Sequence, residues 1–484
     1  MSANRSLESI ALGTDRSARD ARAFFDGLVE RVADGSGELQ LHEVERLIWG
    51  QLLELGRLLL AGFLEGRTRK PPARTVRFHG RDVPYHSQKS VTYFSVFGTV
   101  KIRRPYYWSE QSKGGVHPLD YELNLPARRY SYFLQEIGAL LGVRGPFDNV
   151  TDTLERLFHV TLWKQGAELI VGDCGDAVQD FYEHLRPPKP ESDDEILVAG
   201  LDGKGVPMVK LEKVEKTFRR TSGVKRNKKQ LSLVSAVYTV ARRPRTAADV
   251  TASLFSDGKV ERRIDPATPK NRRLRAWLCP AEDMFDEVAR HVRERRPDLK
   301  SEHVLLMDGE KRIKENAALT PEFDGWTKIL DVIHAIQRVW DAGVALLGEG
   351  NAKEWVRERV FQLLSEGPDG LIREFDETAT KSRGACRKTF TTVARYFRAN
   401  RDRMHYDDYL RRGLPIATGV IEGACCTLVK QRMEGPGMRW TEAGANAVLE
   451  LRAVDQNENW GAFWRWFPAT ERVRLYGRPR KTAA

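Results

Sequence analysis

Three acidic residues stand where an apolar run ends or a helix begins: Asp202, Asp308 and Glu422. In "ILVAGLDGKGVPMVK" (Ile196 to Lys210), apolar and small residues lead into Leu201-Asp202-Gly203. "HVLLMD" (His303 to Asp308) ends the same way, before Gly309. In open α/β sheets, ligands bind at the carboxyl edge of the strands. A glycine beside the acid lets a phosphate or a hydrated cation come close to the backbone. The third acid lies in "GLPIATGVIEGACCTLVKQRM", where the break at Gly419 puts Glu422 in the first turn of a helix. Three carboxylates brought together need a compensating charge. Hard divalent cations supply it, and magnesium in particular takes carboxylate and phosphate oxygens. Two such ions about 4 Å apart clamp the attacking and leaving oxygens of a phosphoryl displacement. Each acid also has a plainer reading. Asp-Gly is turn chemistry, an acid in a first helical turn complements the helix dipole, and spacing alone does not bring the three together.

The charge balance suits a phosphate-bearing partner. The chain has 79 Lys and Arg against 67 Asp and Glu, a formal net charge of +12. Such an excess favours a polyanion, nucleic acid ahead of a membrane surface. Much of it lies directly after Asp202. Lys204, Lys210, Lys213, Lys216, Arg219, Arg220, Lys225, Arg226, Lys228 and Lys229 face only Glu212 and Glu215 in that stretch. Beside a metal site such a run is a phosphate track with salt-sensitive affinity; elsewhere it is a solvated surface. "RMEGPGMRW" with Lys430 adds Arg432, Arg439 and Trp440. Arginine next to an aromatic suits backbone contact with base stacking, while Trp440 by itself reads more readily as ordinary core.

Several chemistries find no motif. The chain has no GxxxxGK[ST] phosphate loop, no HExxH and no GxSxG. Its five cysteines form no CxxC pair, which indicates a reduced, cytosolic protein. Cys425 and Cys426 read as small core residues on an apolar helix face. The N-terminus lacks an apolar signal core. The most apolar stretch, Leu47 to Gly66, carries Gln51, Glu54 and Arg57, which are costly in a bilayer, so it reads as a packed helix. A soluble cytoplasmic protein is expected.

The elements that must position these residues follow from pattern. At 484 residues, two or three domains are expected. Residues 1–74 form a helical region, with Ser36 or Gly37 opening its long element, and "RTRKPPAR" breaks it. Residues 75–130 form a small antiparallel β unit, with a turn at "HGRD" and a hairpin at Phe97-Gly98. Residues 131–190 are helical, a helix-turn-helix or an αα-hairpin, with Thr161 capping the second helix. After the linker "LRPPKPESDDE", strands at 196–201, 231–240, "ASLF", 303–308 and in "WTKILDVIHA" (Trp326 to Ala335), the last running into a helix, alternate with helices across 191–335, which indicates an α/β sheet. A helix from about Pro280 to Arg296 carries Met284, Val288 and Val292 on one face. Residues 336–412 form an all-helical insertion, 413–470 complete the core with the Glu422 helix, and 471–484 are a basic tail.

With these residues in view, the chain resembles bacterial insertion-sequence transposases of the ISKra type, related to the Mutator-like transposases. The matching stretches are "GLDGKGVPMVK", "LLMDGEKRI", "ILDVIHAIQRVW", "GLPIATGVIEGACCTLVKQRMEGPGMRW" and "AVLELRA", within a resemblance from about Phe78 to Trp466. The resemblance implies a ribonuclease-H-like catalytic domain, an all-helical insertion, and an α+β N-terminal DNA-binding region. It implies a DDE triad of Asp202, Asp308 and Glu422 holding two magnesium ions, with manganese able to substitute. Asp331 and His334 match the family's C/D-x-x-H motif, with a role in positioning a scissile strand or a flipped base. The implied partners are double-stranded DNA, as element terminal repeats and target, and a homodimer or larger synaptic complex; no membrane partner is expected. The segment "SEQSKGGVHPLD" lacks the cysteines that relatives often carry there, so no zinc is expected. "ATG" replaces the usual G-S-G before the Glu motif, and Thr418 can still cap the helix. A DNA-binding protein that no longer cuts, and a nuclease such as a resolvase on the same fold, remain open.

Overall fold

The computed structural model describes residues 16–34, 39–68, 72–78, 80–112, 114–186, 195–209, 229–255, 268–295, 302–309 and 311–477. The chain is mixed α/β with two sheets, and it divides into two units. One contains residues 1–181 with 459–484; the other contains residues 182–458.

In the first unit, helices Arg16–Ala33 and Leu41–Thr68 precede an antiparallel sheet of β1 (Thr75–Phe78), β2 (Arg81–Ser95), β3 (Gly98–Ser109) and β4 (Gly114–Val116). The hairpin expected at Phe97-Gly98 is present, with Ser95 paired to Gly98 and Gly98 at φ +101°. Leu64 packs with Val100, Ile102, Leu119 and Leu125 beneath this sheet. The helix Leu41–Thr68 is long and apolar enough to cross a membrane by length and composition. It carries the Glu54–Arg57 ion pair one turn apart and packs on β3. Ser36 and Gly37 lie outside the described residues. Helices Tyr132–Arg144, Phe147–Phe158, Lys164–Asp176 and Val178–His184 follow. Thr161 does not cap: Trp163 holds the N-cap position, and the Thr161 hydroxyl donates to Glu155. The helix Trp460–Tyr476 returns to this unit, so the boundary expected at residue 470 falls inside a helix. Phe463 and Phe467 bury that helix in the unit.

The second unit is built on a five-stranded sheet. Its strands are β5 (Glu195–Pro207), β6 (Lys229–Ala241), β7 (Lys270–Trp277), β8 (His303–Met307) and β9 (Thr327–Leu330), in the order β7-β6-β5-β8-β9. β5, β6 and β7 form an antiparallel meander; β8 and β9 run parallel to β5. The apolar runs at 196–201 and 304–307 are buried on both faces, as central parallel strands require. On one face Leu197, Ala199, Leu201, Leu305 and Met307 pack against Met284, Phe285, Val288 and Val292 of the helix Ala281–Arg295. Strand alternation therefore directs Val198, Gly200, Asp202, Val304, Leu306 and Asp308 to the opposite face. "ASLF" is not a strand. It ends the helix Ala247–Phe255, started by a reciprocal cap in which Thr246 Oγ1 accepts from Asp249 N and Asp249 Oδ2 accepts from Thr246 N.

Five helices, Val332–Leu347, Ala352–Glu366, Asp369–Lys381, Gly384–Asn400 and Tyr406–Arg411, leave the sheet after β9 around a core of Phe375, Phe390 and Phe397. The two ends of this block meet where Val332 N donates to Ile416 O at 2.9 Å.

A buried ion cluster ties the sheet edge to its helices. Arg275 of β7 is fully buried and donates to Glu287 at 2.7 Å and to Glu450 at 2.9 Å. Burial pushes Glu287 up, but the His291 hydrogen bond and the Arg275 charge outweigh it and hold the carboxyl well below its usual range. Removing one partner of such a cluster strands the others in low dielectric. We expect Arg275→Ala to destabilise the protein by about 3–5 kcal/mol, measured by urea unfolding; a loss below about 1 kcal/mol would mean the cluster behaves as a surface pair.

Candidate active site

Register decides what the sheet edge presents. In the parallel pairs Leu201 lies opposite Met307, and Met307 opposite Leu330. The next residue on each strand is therefore Asp202, Asp308 and Asp331. The backbone follows this alignment, since Asp331 N donates to Met307 O at 2.9 Å. Three adjacent parallel strands thus carry three aspartates at one level and on one face, about 4.8 Å apart from strand to strand; β5, expected to end at Leu201, runs on through Asp202 to Pro207 in its pairing with β6, so only Asp308 and Asp331 follow strand ends.

Glu422 reaches the same face on the helix Gly419–Ala424. Gly200 lets that helix in: a Cβ there would lie 2.8 Å from Ile421 Cγ1, next to the glutamate in sequence. The helix continues into a π-helical turn, Cys425–Lys430, a feature common at functional sites. Burial raises the Glu422 pKa first, and the charges of Asp331 and Asp202 raise it further, while His334 opposes them. The carboxylates therefore share one electrostatic site.

Asp202 and Asp331 accept from protein donors. Asp202 Oδ1 accepts from Gly203 N at 2.7 Å, and its Oδ2 accepts from the Cys425 thiol at 3.4 Å. Burial, followed by the Asp202 charge, pushes that thiol up, so it remains a donor. Asp331 is completely buried; its Oδ1 caps the helix Val332–Leu347 by accepting from Ile333 N at 2.9 Å. Its Oδ2 accepts the Thr418 hydroxyl, so Thr418 does not give its side chain to its own helix as expected. His334 Nδ1 lies 3.6 Å from the same oxygen. Asp331 holds the His334 pKa above the ordinary 6.5 against burial, and Asp202 and Asp308 add to that pull.

The predicted site residues divide into groups. Asp202, Asp308, Glu422, Asp331 and His334 come together. Lys204 lies two residues beyond Asp202 on the same strand face, and its charge acts on Cys425. Lys229, at the start of β6, is exposed and pairs with Glu434 at 2.5 Å. Lys430 and Arg439 are exposed. Lys210, Arg219, Arg220, Lys225, Arg226 and Lys228 lie outside the described residues. Arg432 and Trp440 correct the expectation of base stacking. Arg432 is 2% and Trp440 8% exposed. The guanidinium lies 4.8 Å over the indole, which donates to Met433 O at 3.1 Å. They act as core, and their backbone extends β5: Val209 N donates to Trp440 O at 2.8 Å. Cys425 is buried as expected, whereas Cys426 is exposed.

Sequence reasoning missed residues that the helical block brings to Asp308. Tyr396 presses its ring and hydroxyl against Gly309, so tightly that a methyl group there would overlap them. Arg403 is buried, and burial lowers its pKa; Asp402 first, with Asp308 among the weaker contributors, offsets part of that. The one local signal was Gly309, a residue that permits close approach.

Among the described residues, no three His, Cys, Asp or Glu side chains stand together closely enough to hold a metal ion as they are placed. The chemistry of the donor set suits a hard cation, since the carboxylates of Asp202, Asp308 and Glu422 are carried to one face of the sheet.

No protein family profile matches the chain, and no curated protein matches it. Among solved structures, one match is the Drosophila P element transposase strand transfer complex, at 10% identity and TM-score 0.24, covering 72% of this chain and 81% of that one. At that TM-score the likeness bears on neither the activity nor the site.

Because the His334 pKa is raised in the folded protein, its contact with Asp331 stabilises the fold fully below pH 6.5 and is lost as pH rises through the folded pKa. The imidazole resonance of His334 should titrate above 6.5 in metal-free protein and fall back in Asp331→Asn. A midpoint at or below 6.5 in the wild type would contradict the coupling.

Proposed function

We propose that the chain is a DNA transposase of the DDE type, cutting phosphodiesters at element ends and joining the freed ends to target DNA. The observation that carries this reading is the row of carboxylates level on adjacent parallel strands, Asp202 beside Asp308, with Glu422 on a helix packed against the same sheet face. The sheet order, an antiparallel meander followed by two parallel strands, supports a ribonuclease-H-like domain interrupted by a helical insertion.

Asp202, Asp308 and Glu422 would hold divalent cations, magnesium or manganese. Such ions, when bound, supply the positive charge that activates an attacking oxygen and stabilises the leaving one. The protein's own residues do the rest. Asp202 and Asp308 fix two carboxylates on adjacent rigid strands. Asp331, buried and fully engaged, holds the entry to the helical block and orients His334 at the site. His334 in its cationic form offers a donor to a phosphate oxygen. Lys204 adds positive charge along the strand edge. In the cutting step, a water oxygen bonds to phosphorus as the bond to the 3′-oxygen breaks. In the joining step, that 3′-hydroxyl attacks a target phosphodiester and displaces another 3′-oxygen. Neither step needs a covalent enzyme intermediate or a nucleotide cofactor. The first unit would bind terminal repeats, and two ends held together call for a dimer or larger assembly in the cytoplasm.

The test is cleavage and joining of labelled element-end DNA with Mg²⁺ or Mn²⁺, comparing the wild type with Asp202→Ala. Wild type should give metal-dependent products, and Asp202→Ala should lose them by about 10³-fold or more, on the scale of removing a principal transition-state contact. Equal DNA binding without cutting by either protein would favour a DNA-binding protein that does not cleave. Cutting of branched DNA without joining would favour a resolvase-like nuclease.

A further inference from the structure

The helical block does more than bridge β9 to the Glu422 helix. Its helix Gly384–Asn400 projects Tyr396 onto Gly309, the residue that follows Asp308. Among the described residues no protein group pairs with the Tyr396 hydroxyl, although the residue is half-buried and its ring is fixed by packing. A tyrosine hydroxyl is protonated near neutral pH and can donate to an anion. Arg338, from the helix Val332–Leu347, lies with its guanidinium 5.1 Å from the same ring. Its protein partner is Asp341 at 3.2 Å, one turn away on the same helix, with both side chains about half exposed. An exposed pair of that kind is weak and can exchange for a better anion. Behind them, buried Arg403 supplies a fixed cation near Asp308 and Tyr396.

We propose that Tyr396 and Arg338 form a phosphate-binding subsite that seats a DNA strand against the Asp308 end of the carboxylate row. This rests on the proposed function, since it takes the strand edge to be where DNA lies. The tyrosine hydroxyl donates to a non-bridging phosphate oxygen, the guanidinium takes the phosphate charge, and the ring holds the guanidinium flat. Two elements of the helical block thereby become part of the substrate surface. A purely structural block would need neither an unpaired hydroxyl nor a cation there. Gly309 is also explained: a side chain at 309 would displace the tyrosine from the strand end.

The test is equilibrium binding of double-stranded DNA by the full chain over a salt series, with Ca²⁺ replacing Mg²⁺ so that no cutting occurs. Tyr396→Phe keeps the ring and removes the hydroxyl; Arg338→Gln removes the charge. Arg357→Gln is the control, an arginine in the helix Ala352–Glu366 paired with Glu354 and placed outside the subsite. Tyr396→Phe should weaken binding roughly tenfold, the scale of one hydrogen bond to a charged oxygen, with the salt dependence unchanged. Arg338→Gln should lower the slope of log affinity against log salt by about 0.9, one phosphate contact, while Arg357→Gln changes neither quantity. If Tyr396→Phe binds like wild type, or Arg338→Gln behaves like Arg357→Gln, the subsite is overturned while the acidic site stands. If wild type has no affinity for DNA, the proposed function falls and the subsite with it.

Discussion

Like charges in a row at a sheet edge repel, and the second unit is arranged around that repulsion. Parallel register forces Asp202, Asp308 and Asp331 to one level on one face, because β8 pairs with β5 and β9 with β8 without a slip. A shift of one residue in either strand would turn its aspartate into the core packed by Met284 and Phe285. The apolar runs that bury β5 and β8 therefore also fix the acids. The three are handled differently. Asp331 is internalised, its oxygens taken by a helix N-terminus and by Thr418, with His334 alongside. Asp202 and Asp308 remain partly exposed. Burial first, and then the charges of Asp331 and Asp202, raise the Glu422 pKa.

That division explains the course of the chain. Asp331 stands where the helical block begins and Thr418 where it ends, so their hydrogen bond closes the block at its base. Tyr406 adds a second tie by donating to Leu330 O at 2.9 Å. An insertion anchored so close to the strand ends can deliver side chains to the site without disturbing the sheet, and Tyr396 and Arg403 are delivered in this way. The π-helical turn after Glu422 places Cys425 against Asp202 while leaving Cys426 in solvent.

Much of this was legible in the sequence. Apolar runs closing on Asp-Gly marked the end of β8 and, in β5, the level of Asp202 though not the strand's end, Gly419 marked the Glu422 helix, and the unbroken helical period after β9 marked the insertion. What escaped was tertiary in origin. Nothing in "ILDVIHA" says that Asp331 stands level with Asp202, because register is a property of paired strands. Tyr396 is far from Asp308 in sequence and follows no motif. "RMEGPGMRW" has the composition of a nucleic-acid contact, yet Arg432 and Trp440 satisfy each other inside the fold. "ASLF" was a different kind of miss. Four residues, three of them apolar, carry no period, but the Thr246–Asp249 cap just upstream was present as a helix signal.

The central claim is that Asp202, Asp308 and Glu422 hold divalent cations together, and the most direct measurement is affinity cleavage with iron in place of magnesium. Fe²⁺ with peroxide cuts a polypeptide near the residues that ligate it. The account predicts backbone cuts near 202, 308 and 422 in the same protein, competed away by Mg²⁺ and lost at all three positions in Asp202→Ala. Cuts at other carboxylates, or cuts near 308 and 422 that survive Asp202→Ala unchanged, would contradict it.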